Sequence, residues 1–127
     1  MANTKTLIEQ AYTAFNNRDI DAVFALMTDD VTWPNAMEGG RLHGKEEIRA
    51  YWTRQWAQLD PHVEPIDISE ADATNIQVRV HQVVKGLEGQ VLLDREVLHL
   101  YTLKNDLIAA MHLADEAAAI GAFAHPS

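Results

Sequence analysis

The hydrophobic pattern changes its period near Pro61, and this change constrains the fold more than any other feature of the chain. Before Pro61, apolar residues recur every three or four positions, a spacing that places them on one face of a helix. After Pro61, apolar and polar residues alternate, as they do from Ile76 to Val80. Helical segments followed by successive strands predict an α+β fold, in which a curved sheet wraps the helices.

Three helices are predicted in the first part of the chain. The first is capped by Asn3 or Thr4, the second is short and ends at the pair Asp29-Asp30, and the third runs from Lys45 to Leu59. Each has an apolar stripe that can face a core. The stripes consist of Leu7, Ile8, Ala11, Tyr12 and Phe15; Ile20, Val23, Phe24 and Met27; and Ile48, Trp52, Trp56 and Leu59.

The strands are predicted from alternation and from their boundaries. A short strand covers residues 31–37, with Pro34 at an edge or a bulge because proline cannot donate to the ladder. Four further strands contain VEPIDI, NIQVRVHQVVKG, QVLLDREVLHLYTLK and DLIAAMHLAD. The turns LEG and KND are short enough for hairpins, which predicts an antiparallel meander.

Size and charge narrow the class of protein. A chain of 127 residues, 47% of them hydrophobic, fits one domain that spans residues 1–127. The formal net charge is −9 and the Lys and Arg residues are scattered, so no nucleic acid partner is expected. The start MANTKTLIEQ is polar and no apolar run approaches about 18 residues, so we expect a soluble, cytoplasmic protein with no membrane partner.

No motif for a cofactor or a metal is present in the sequence. There is no cysteine, no phosphate-cradling glycine loop, no dinucleotide fingerprint and no Ser-His-Asp spacing. The six histidines include no HxH or HxxxH pair that would align two imidazoles. We therefore expect neither a cofactor nor a metal site.

Three segments together resemble the NTF2-like superfamily: FNNRDIDAVFALMTDDVTW, GGRLHGKEEIRAYW and AAMHLAD. The nearest relatives by this resemblance are the SnoaL-like polyketide cyclases and the ketosteroid isomerases. The resemblance implies a cone-shaped half-barrel, in which three N-terminal helices pack against a curved antiparallel sheet around one deep apolar pocket. It also implies a homodimer formed through the outer sheet face.

At the positions that carry activity in the ketosteroid isomerases, this sequence has different residues. Counted from Asp29-Asp30, the base position falls on Asn35, and an amide cannot take a proton at neutral pH. The tyrosine position falls on Ala11, with Tyr12 one residue further on, and the oxyanion aspartate position falls on Leu98. The resemblance therefore implies an inward Leu98 and speaks against a standard ketosteroid isomerase.

The resemblance to the cyclases implies a different base. Those proteins place an aspartate near the end of the last strand, and Asp115 is similar to that residue. Strand alternation gives Asp115 the same face as Met111 and Leu113, where apolar neighbours would raise the pKa of its carboxyl group. Equally, Asp115 could cap a helix that begins at Glu116.

Asn35 and the tryptophans are the other pocket candidates. Asn35 alternates onto the face of Trp33 and Met37, where its amide could hold a carbonyl oxygen; the alternative is a turn residue after Pro34. The three tryptophans could form an aromatic wall for a ring-bearing ligand, or they could simply be core.

The histidines on the strands are expected outside the pocket: His81, His99 and His112 are assigned to the outer sheet or a dimer contact. Asp94 and Glu96 share the face of Leu98, which the resemblance makes inward, where two carboxylates would need partners or a polar pocket mouth. They are second-tier site candidates, and a surface or dimer salt bridge is the favoured role for both.

The sequence thus predicts a proton-transfer cyclase or isomerase that acts on a small apolar or aromatic carbonyl compound. Asp115 would move the proton and Asn35 would hold the oxygen. The predicted substrate-binding residues are Trp33, Met37, Trp52, Trp56, Leu98, Met111 and Leu113. The alternative is a non-catalytic ligand-binding or dimerising module.

Overall fold

A computed structural model describes residues 4–35 and 39–113 of the chain. Within these ranges, helices alternate with strands before a run of consecutive strands completes the sheet. The elements are α1 (Thr4–Asn16), α2 (Ile20–Phe24), β1 (Met27–Pro34), β2 (Arg41–His43), α3 (Gly44–Trp56), β3 (Leu59–Glu70), β4 (Asn75–Gly86), β5 (Val91–Lys104) and β6 (Leu107–Leu113).

The helices bury the stripes that their spacing predicts. In α1, Ile8, Ala11 and Tyr12 are buried, and in α3 Ile48 and Trp52 are buried. Two helices are shorter than predicted. Helix α2 ends at residue 24 and β1 begins at residue 27, so the acidic pair lies in a strand; α3 ends at residue 56 and its predicted last residue opens β3.

The strands form one curved, open sheet in the order β2-β1-β6-β5-β4-β3. The pairs β3–β4, β4–β5 and β5–β6 are antiparallel, which confirms the meander. The prediction of a wholly antiparallel sheet is wrong, because β1 pairs with β6 in parallel. These two strands are joined through all the intervening elements, and such a long connection permits a parallel arrangement.

Pro34 does not lie in an edge strand, since β1 is held between β2 and β6. It is the last residue of β1 and pairs with Arg41 of β2, whereas the last pairing of β1 with β6 is at Thr32. The missing N–H of the proline therefore leaves no gap in the β1–β6 ladder.

A turn and a register shift together set the pairing of β5 with β6. Asn105 and Asp106 form a two-residue loop with φ angles of 53° and 63°, the backbone of a type I′ hairpin. Asn and Asp are the non-glycine residues that best tolerate this region. The pairing then shifts by one residue between Thr102 and Leu103, so that Tyr101 pairs with Met111 and His99 with Leu113, with all four side chains on the inner face.

The core lies between the inner face of the sheet and the helices. Ile76, Val78 and Val80 of β4 are each no more than 1% exposed. In the part of the chain that the structure describes, no helix is long and apolar enough to cross a membrane.

Candidate functional site

A cavity of about 90 Å³ lies between α1, α3 and the inner face of the sheet. Six of its sixteen lining residues are Phe, Tyr or Trp, and β3 closes one side with Pro61 and Val63. A concave, largely apolar site with a few convergent polar groups is the usual form of a small-molecule site. The aromatic lining residues are Tyr12, Phe15, Trp33, Tyr51, Trp52 and Tyr101.

Trp52 of α3 is the centre of the aromatic wall. Its ring centroid lies 5.6 Å from that of Trp33 in an edge-to-face arrangement, and 5.3 Å from that of Phe15. On its far side it stacks on Trp56 at 5.8 Å. Trp52 is 1% exposed, so this wall is also part of the hydrophobic core.

The Arg18 side chain packs against two rings of the aromatic cluster, those of Trp56 and Phe15. The Arg18 guanidinium lies 5.0 Å from the Trp56 ring centroid and 5.7 Å from that of Phe15. It also donates to the Pro61 carbonyl at 2.8 Å and pairs with Asp60 at 2.5 Å. These contacts tie the end of α1 to the start of β3 and fix two of the cavity walls.

Three polar side chains form a continuous hydrogen-bond chain in the cavity, here called the hydroxyl–imidazole chain: Tyr101, Tyr12 and His99. The Tyr101 hydroxyl donates to the Tyr12 hydroxyl at 2.8 Å, and the Tyr12 hydroxyl lies 2.7 Å from Nδ1 of His99. The rings of Tyr12 and His99 are nearly parallel, with centroids 5.9 Å apart. All three side chains are buried.

Burial keeps the hydroxyl–imidazole chain neutral. Desolvation lowers the pKa of His99 from 6.5 to about 4, because the imidazolium would lose its hydration. Desolvation likewise raises the pKa of both Tyr12 and Tyr101, so neither phenolate forms near neutral pH. The chain can therefore donate and accept hydrogen bonds without carrying charge.

No Asp, Glu, Lys or Arg within residues 4–35 and 39–113 lines the cavity. Besides the hydroxyl–imidazole chain, the lining residues with polar groups are Gln55, Gln82, Tyr51, Trp33 and Trp52, all of them neutral. Gln55 donates to the Tyr51 hydroxyl at 3.2 Å. The described wall is therefore neutral throughout.

Four predicted substrate-binding residues come together in this cavity: Trp33, Trp52, Met111 and Leu113. Trp56 packs behind Trp52 and is not among the lining residues. Met37 lies outside the described residues.

The inward placement of Leu98 is wrong. The residues on either side of it in the alternation, Val97 and His99, face the core, so Leu98 faces the outer side of the sheet opposite Arg79. Side chains alternate across a strand, and one residue of displacement reverses the face.

Of the two predicted catalytic residues, the structure describes only Asn35. Asp115 lies outside the described residues. Asn35 follows β1, where its N–H donates to the Gly40 carbonyl at 3.0 Å and its carbonyl accepts from the Gly39 N–H at 2.7 Å. This backbone pairing closes a loop after the strand, and Asn35 is not among the described lining residues. A role for its amide stays a prediction.

Of the strand histidines, His81 and His112 lie on the outer face, as predicted, whereas the outward assignment of His99 is wrong. His81 hydrogen-bonds to Asp94 at 2.6 Å and Arg79 pairs with Glu96 at 3.8 Å on exposed side chains, so the predicted surface salt bridge is found for Glu96, whereas the partner of Asp94 is an imidazole. In the described ranges, no group of three or more His, Asp or Glu side chains is placed to hold a metal ion.

Sequence reasoning missed the hydroxyl–imidazole chain. The sequence places Tyr12 on the apolar face of α1, one residue after the position that the isomerase resemblance gives to a catalytic tyrosine. A partial signal for the other two is alternation from Leu103, an apolar residue just before the KND turn: because Leu103 is buried, alternation places Tyr101, His99 and Val97 on the same inward face.

The fold and cavity define a class: an α+β protein with an open curved sheet and one neutral, aromatic-lined site beneath its helices. Within this class, the model of the SnoaL-like domain matches residues 8–111. The chain therefore belongs to the SnoaL-like domain family, within the NTF2-like fold.

Solved structures agree with this fold. An NTF2-like protein of unknown function from Burkholderia pseudomallei is 25% identical, with 95% of this chain and 97% of that chain covered and a TM-score of 0.77. TerC, co-crystallised with polyporic acid, is 22% identical over 93% and 95% of the two chains, with a TM-score of 0.77.

A Mycobacterium tuberculosis protein in complex with estradiol-17beta-hemisuccinate is 18% identical over 87% and 92% of the two chains, with a TM-score of 0.75. At such identities the likeness concerns the fold. Comparison with curated proteins gave no match.

Proposed function

We propose that this protein is a SnoaL-like enzyme that transfers a proton on a small apolar or aromatic carbonyl compound held in the cavity. The observation that carries the proposal is the combination of an aromatic wall, built on Trp33 and Trp52, with buried neutral donors in the hydroxyl–imidazole chain. Aromatic walls position a ring, and neutral donors can stabilise an oxygen that gains charge.

The cavity size favours a substrate with a single ring. Its volume of about 90 Å³ is well below the ~300 Å³ at the lower end of sites for drug-sized ligands. Two structural relatives were solved with small molecules, polyporic acid and estradiol-17beta-hemisuccinate. Their presence supports a ligand site in this fold, and the volume of about 90 Å³ supports a small ligand here.

The proposed reaction needs one base and one oxygen donor. The carboxylate of Asp115 takes a proton from the carbon next to the carbonyl group, and the electron pair moves to the carbonyl oxygen to give an enolate. Hydrogen bonds to that oxygen stabilise the enolate. In an isomerisation the proton returns to another carbon. In a cyclisation the enolate carbon attacks a second carbonyl carbon of the same molecule, and the proton on Asp115 passes to the alkoxide oxygen that forms.

The last strand supports the assignment of the base. Met111 and Leu113 line the cavity, so the face that alternation gives to Asp115 is the inward one up to the end of β6. Asn35 is the second proposed catalytic residue, at the end of the strand that carries Trp33 into the wall. It would donate its side-chain amide to the substrate oxygen.

Acetophenone tests the proposal, because it has one ring, one carbonyl group and methyl protons that exchange through the enolate. Proton NMR in D₂O measures that exchange. We expect the protein to accelerate it and Asp115→Asn to lower the rate by about 100-fold or more, the usual contribution of a general base.

Asp106→Asn is the matched control, since it removes an exposed carboxylate in the β5–β6 turn. It should retain the exchange rate. An Asp115→Asn variant with unchanged rate and unchanged stability would contradict the role of the base.

A second candidate function is ligand binding without catalysis. It is favoured by the absence of any carboxylate from the described cavity wall. The same experiment separates the two functions: saturable binding of acetophenone that raises the melting temperature, with no accelerated exchange in the unmodified protein, identifies a binder.

A further inference from the structure

The protons of the hydroxyl–imidazole chain can be assigned by accounting for its donors. Each phenol carries one O–H, and the neutral imidazole carries one N–H. The Tyr101 hydroxyl has one hydrogen-bond partner among the described residues, Tyr12, and must donate to it if its proton is to be bonded. The Tyr12 proton then has one acceptor left in the chain, which is Nδ1 of His99.

Each tautomer of His99 leaves one proton of the chain without an acceptor among the described residues, and the tautomers differ in where that proton lies. If Nδ1 of His99 carried the proton and donated to Tyr12, the unbonded proton would be on a phenol inside the chain, where an unpaired donor costs ~1–3 kcal/mol. If Nε2 carries it, the unbonded proton is on an atom that is not among the fully buried unpaired atoms of the described residues, on a ring that lines the cavity. The cavity-facing position therefore selects the tautomer with a bare Nδ1 and a proton on Nε2.

That tautomer directs an unused donor towards the ligand site. His99 is 6% exposed and its ring lines the cavity. Its Nε2 has no hydrogen-bond partner within residues 4–35 and 39–113, whereas Nδ1 is bonded. Nε2 is not among the fully buried unpaired atoms of the described residues, so it is accessible from the cavity, and a bound molecule that supplies an acceptor would satisfy it.

The surroundings restrict the charge of that molecule. The described cavity wall carries no charged side chain, and burial keeps His99 itself neutral at physiological pH. A charged ligand would lose its hydration without gaining a counter-ion there. The wall therefore favours a neutral ligand.

We infer that His99 is the specificity-determining residue of the cavity, and that its Nε2–H donates to a neutral acceptor oxygen of a single-ring ligand such as an aryl ketone. Tyr12 and Tyr101 are positioning residues, since they act by holding the imidazole in this tautomer. The inference rests on the proposed function in one respect, which is that the cavity binds a small molecule.

Two probes of the same shape test the inference. Acetophenone carries a carbonyl oxygen, and α-methylstyrene replaces that oxygen with a CH₂ group that cannot accept a hydrogen bond. Both probes contain the same ring, so the ratio of their affinities isolates the effect of the carbonyl oxygen. We expect His99→Phe to lower the preference for acetophenone by about 5- to 10-fold, the value of one hydrogen bond.

His112→Gln is the matched control, because it changes an exposed histidine on the outer face of the same sheet. It should leave the ratio unchanged. Tyr101→Phe is the second variant should His99→Phe fail to fold; it keeps the imidazole but removes the hydroxyl that orients Tyr12, and should lower the ratio by a smaller factor.

Nitrogen-15 NMR of the ligand-free protein at pH 7.5 tests the tautomer without any probe. We expect the His99 proton on Nε2, and a population with the proton on Nδ1 in Tyr101→Phe. A proton on Nδ1 in the unmodified protein would overturn the inference, as would an affinity ratio that His99→Phe does not change. Equal binding of both probes in all variants leaves the proposed ligand site intact, whereas no binding of either probe counts against that site as well.

Discussion

His99 is buried without charge, and this has a consequence for stability. Its pKa of about 4 in the folded protein lies below the ordinary value of 6.5. Between these values the unfolded chain binds a proton that the folded chain does not. The contribution of His99 is therefore complete above pH 6.5 and is lost as the pH falls towards 4.

Urea denaturation at several pH values measures this effect. Between pH 7 and pH 4, the free energy of unfolding of the unmodified protein should fall by about 3 kcal/mol because of His99. We expect this decrease to be absent from His99→Phe. His112→Gln should keep the dependence of the unmodified protein. Parallel pH profiles for the unmodified protein and His99→Phe would show that the imidazole is not held neutral.

Trp52 supports both the wall and the core, so its loss should be costly. It contacts Phe15, Phe24, Trp33 and Trp56 through its ring and is 1% exposed. We expect Trp52→Ala to lower the free energy of unfolding by about 3–5 kcal/mol, the range for a large buried aromatic residue. Trp33→Ala, at a half-buried position beside the cavity, should cost less in the same urea titration.

The residues of the site were only partly predictable from the sequence. Trp33, Trp52, Met111 and Leu113 were placed correctly because apolar spacing identifies an inward face. The sequence places Leu98 on the inner face and His99 on the outer face, the reverse of the structure. Both faces of β5 carry apolar residues, so the hydrophobic pattern of this strand does not reveal its register. The register follows from a turn and from pairing with distant strands, which local sequence does not encode.

At the scale of elements, Asn16 joins α1 to β3. Its side-chain NH₂ donates to the Val63 carbonyl at 2.6 Å, and its carbonyl oxygen accepts from the Val63 N–H at 3.0 Å. Val63 is buried, so both backbone groups would otherwise lose their hydrogen bonds to water. The amide thus takes the place of a neighbouring strand at this point.

We expect Asn16→Ala to lower the free energy of unfolding by ~1–3 kcal/mol, because it leaves buried backbone groups unpaired. Asn17→Ala, at the exposed next residue, should change it by less than ~0.5 kcal/mol. Hydrogen exchange at the Val63 amide gives a second measurement. Unchanged protection of that amide in Asn16→Ala would contradict the role of the side chain.

Element order was the most predictable level of the fold. The helices and the meander follow from hydrophobic periods and turns, and each was found near its predicted position. Helix ends and the parallel β1–β6 pair were not, since both depend on contacts between distant segments. The acidic pair at Asp29-Asp30, which would be typical of a helix end, lies in β1 between the two pairings of that strand with β6, Met27 with Ile108 and Thr32 with Ala110.

At the scale of the whole molecule, a homodimer through the outer sheet face stays a prediction from the family resemblance. Leu98 and Leu100 are half-buried on that face, beside the ion pair of Arg79 with Glu96 and the hydrogen bond of His81 with Asp94. Light scattering at increasing protein concentration measures the mass. We expect a dimer that Leu98→Lys weakens; a monomer at all concentrations would contradict the prediction.

The central claim is that the aromatic cavity binds a small neutral ring compound. The indole N–H signals of Trp33, Trp52 and Trp56 report on it directly, since two of these rings line the cavity and the third stacks behind it. In a titration with acetophenone followed by NMR, we predict saturable shifts of the Trp33 and Trp52 signals that exceed any shift of His112 on the outer face. Shifts confined to exposed residues, with the signals of Trp33 and Trp52 unmoved, would contradict the claim.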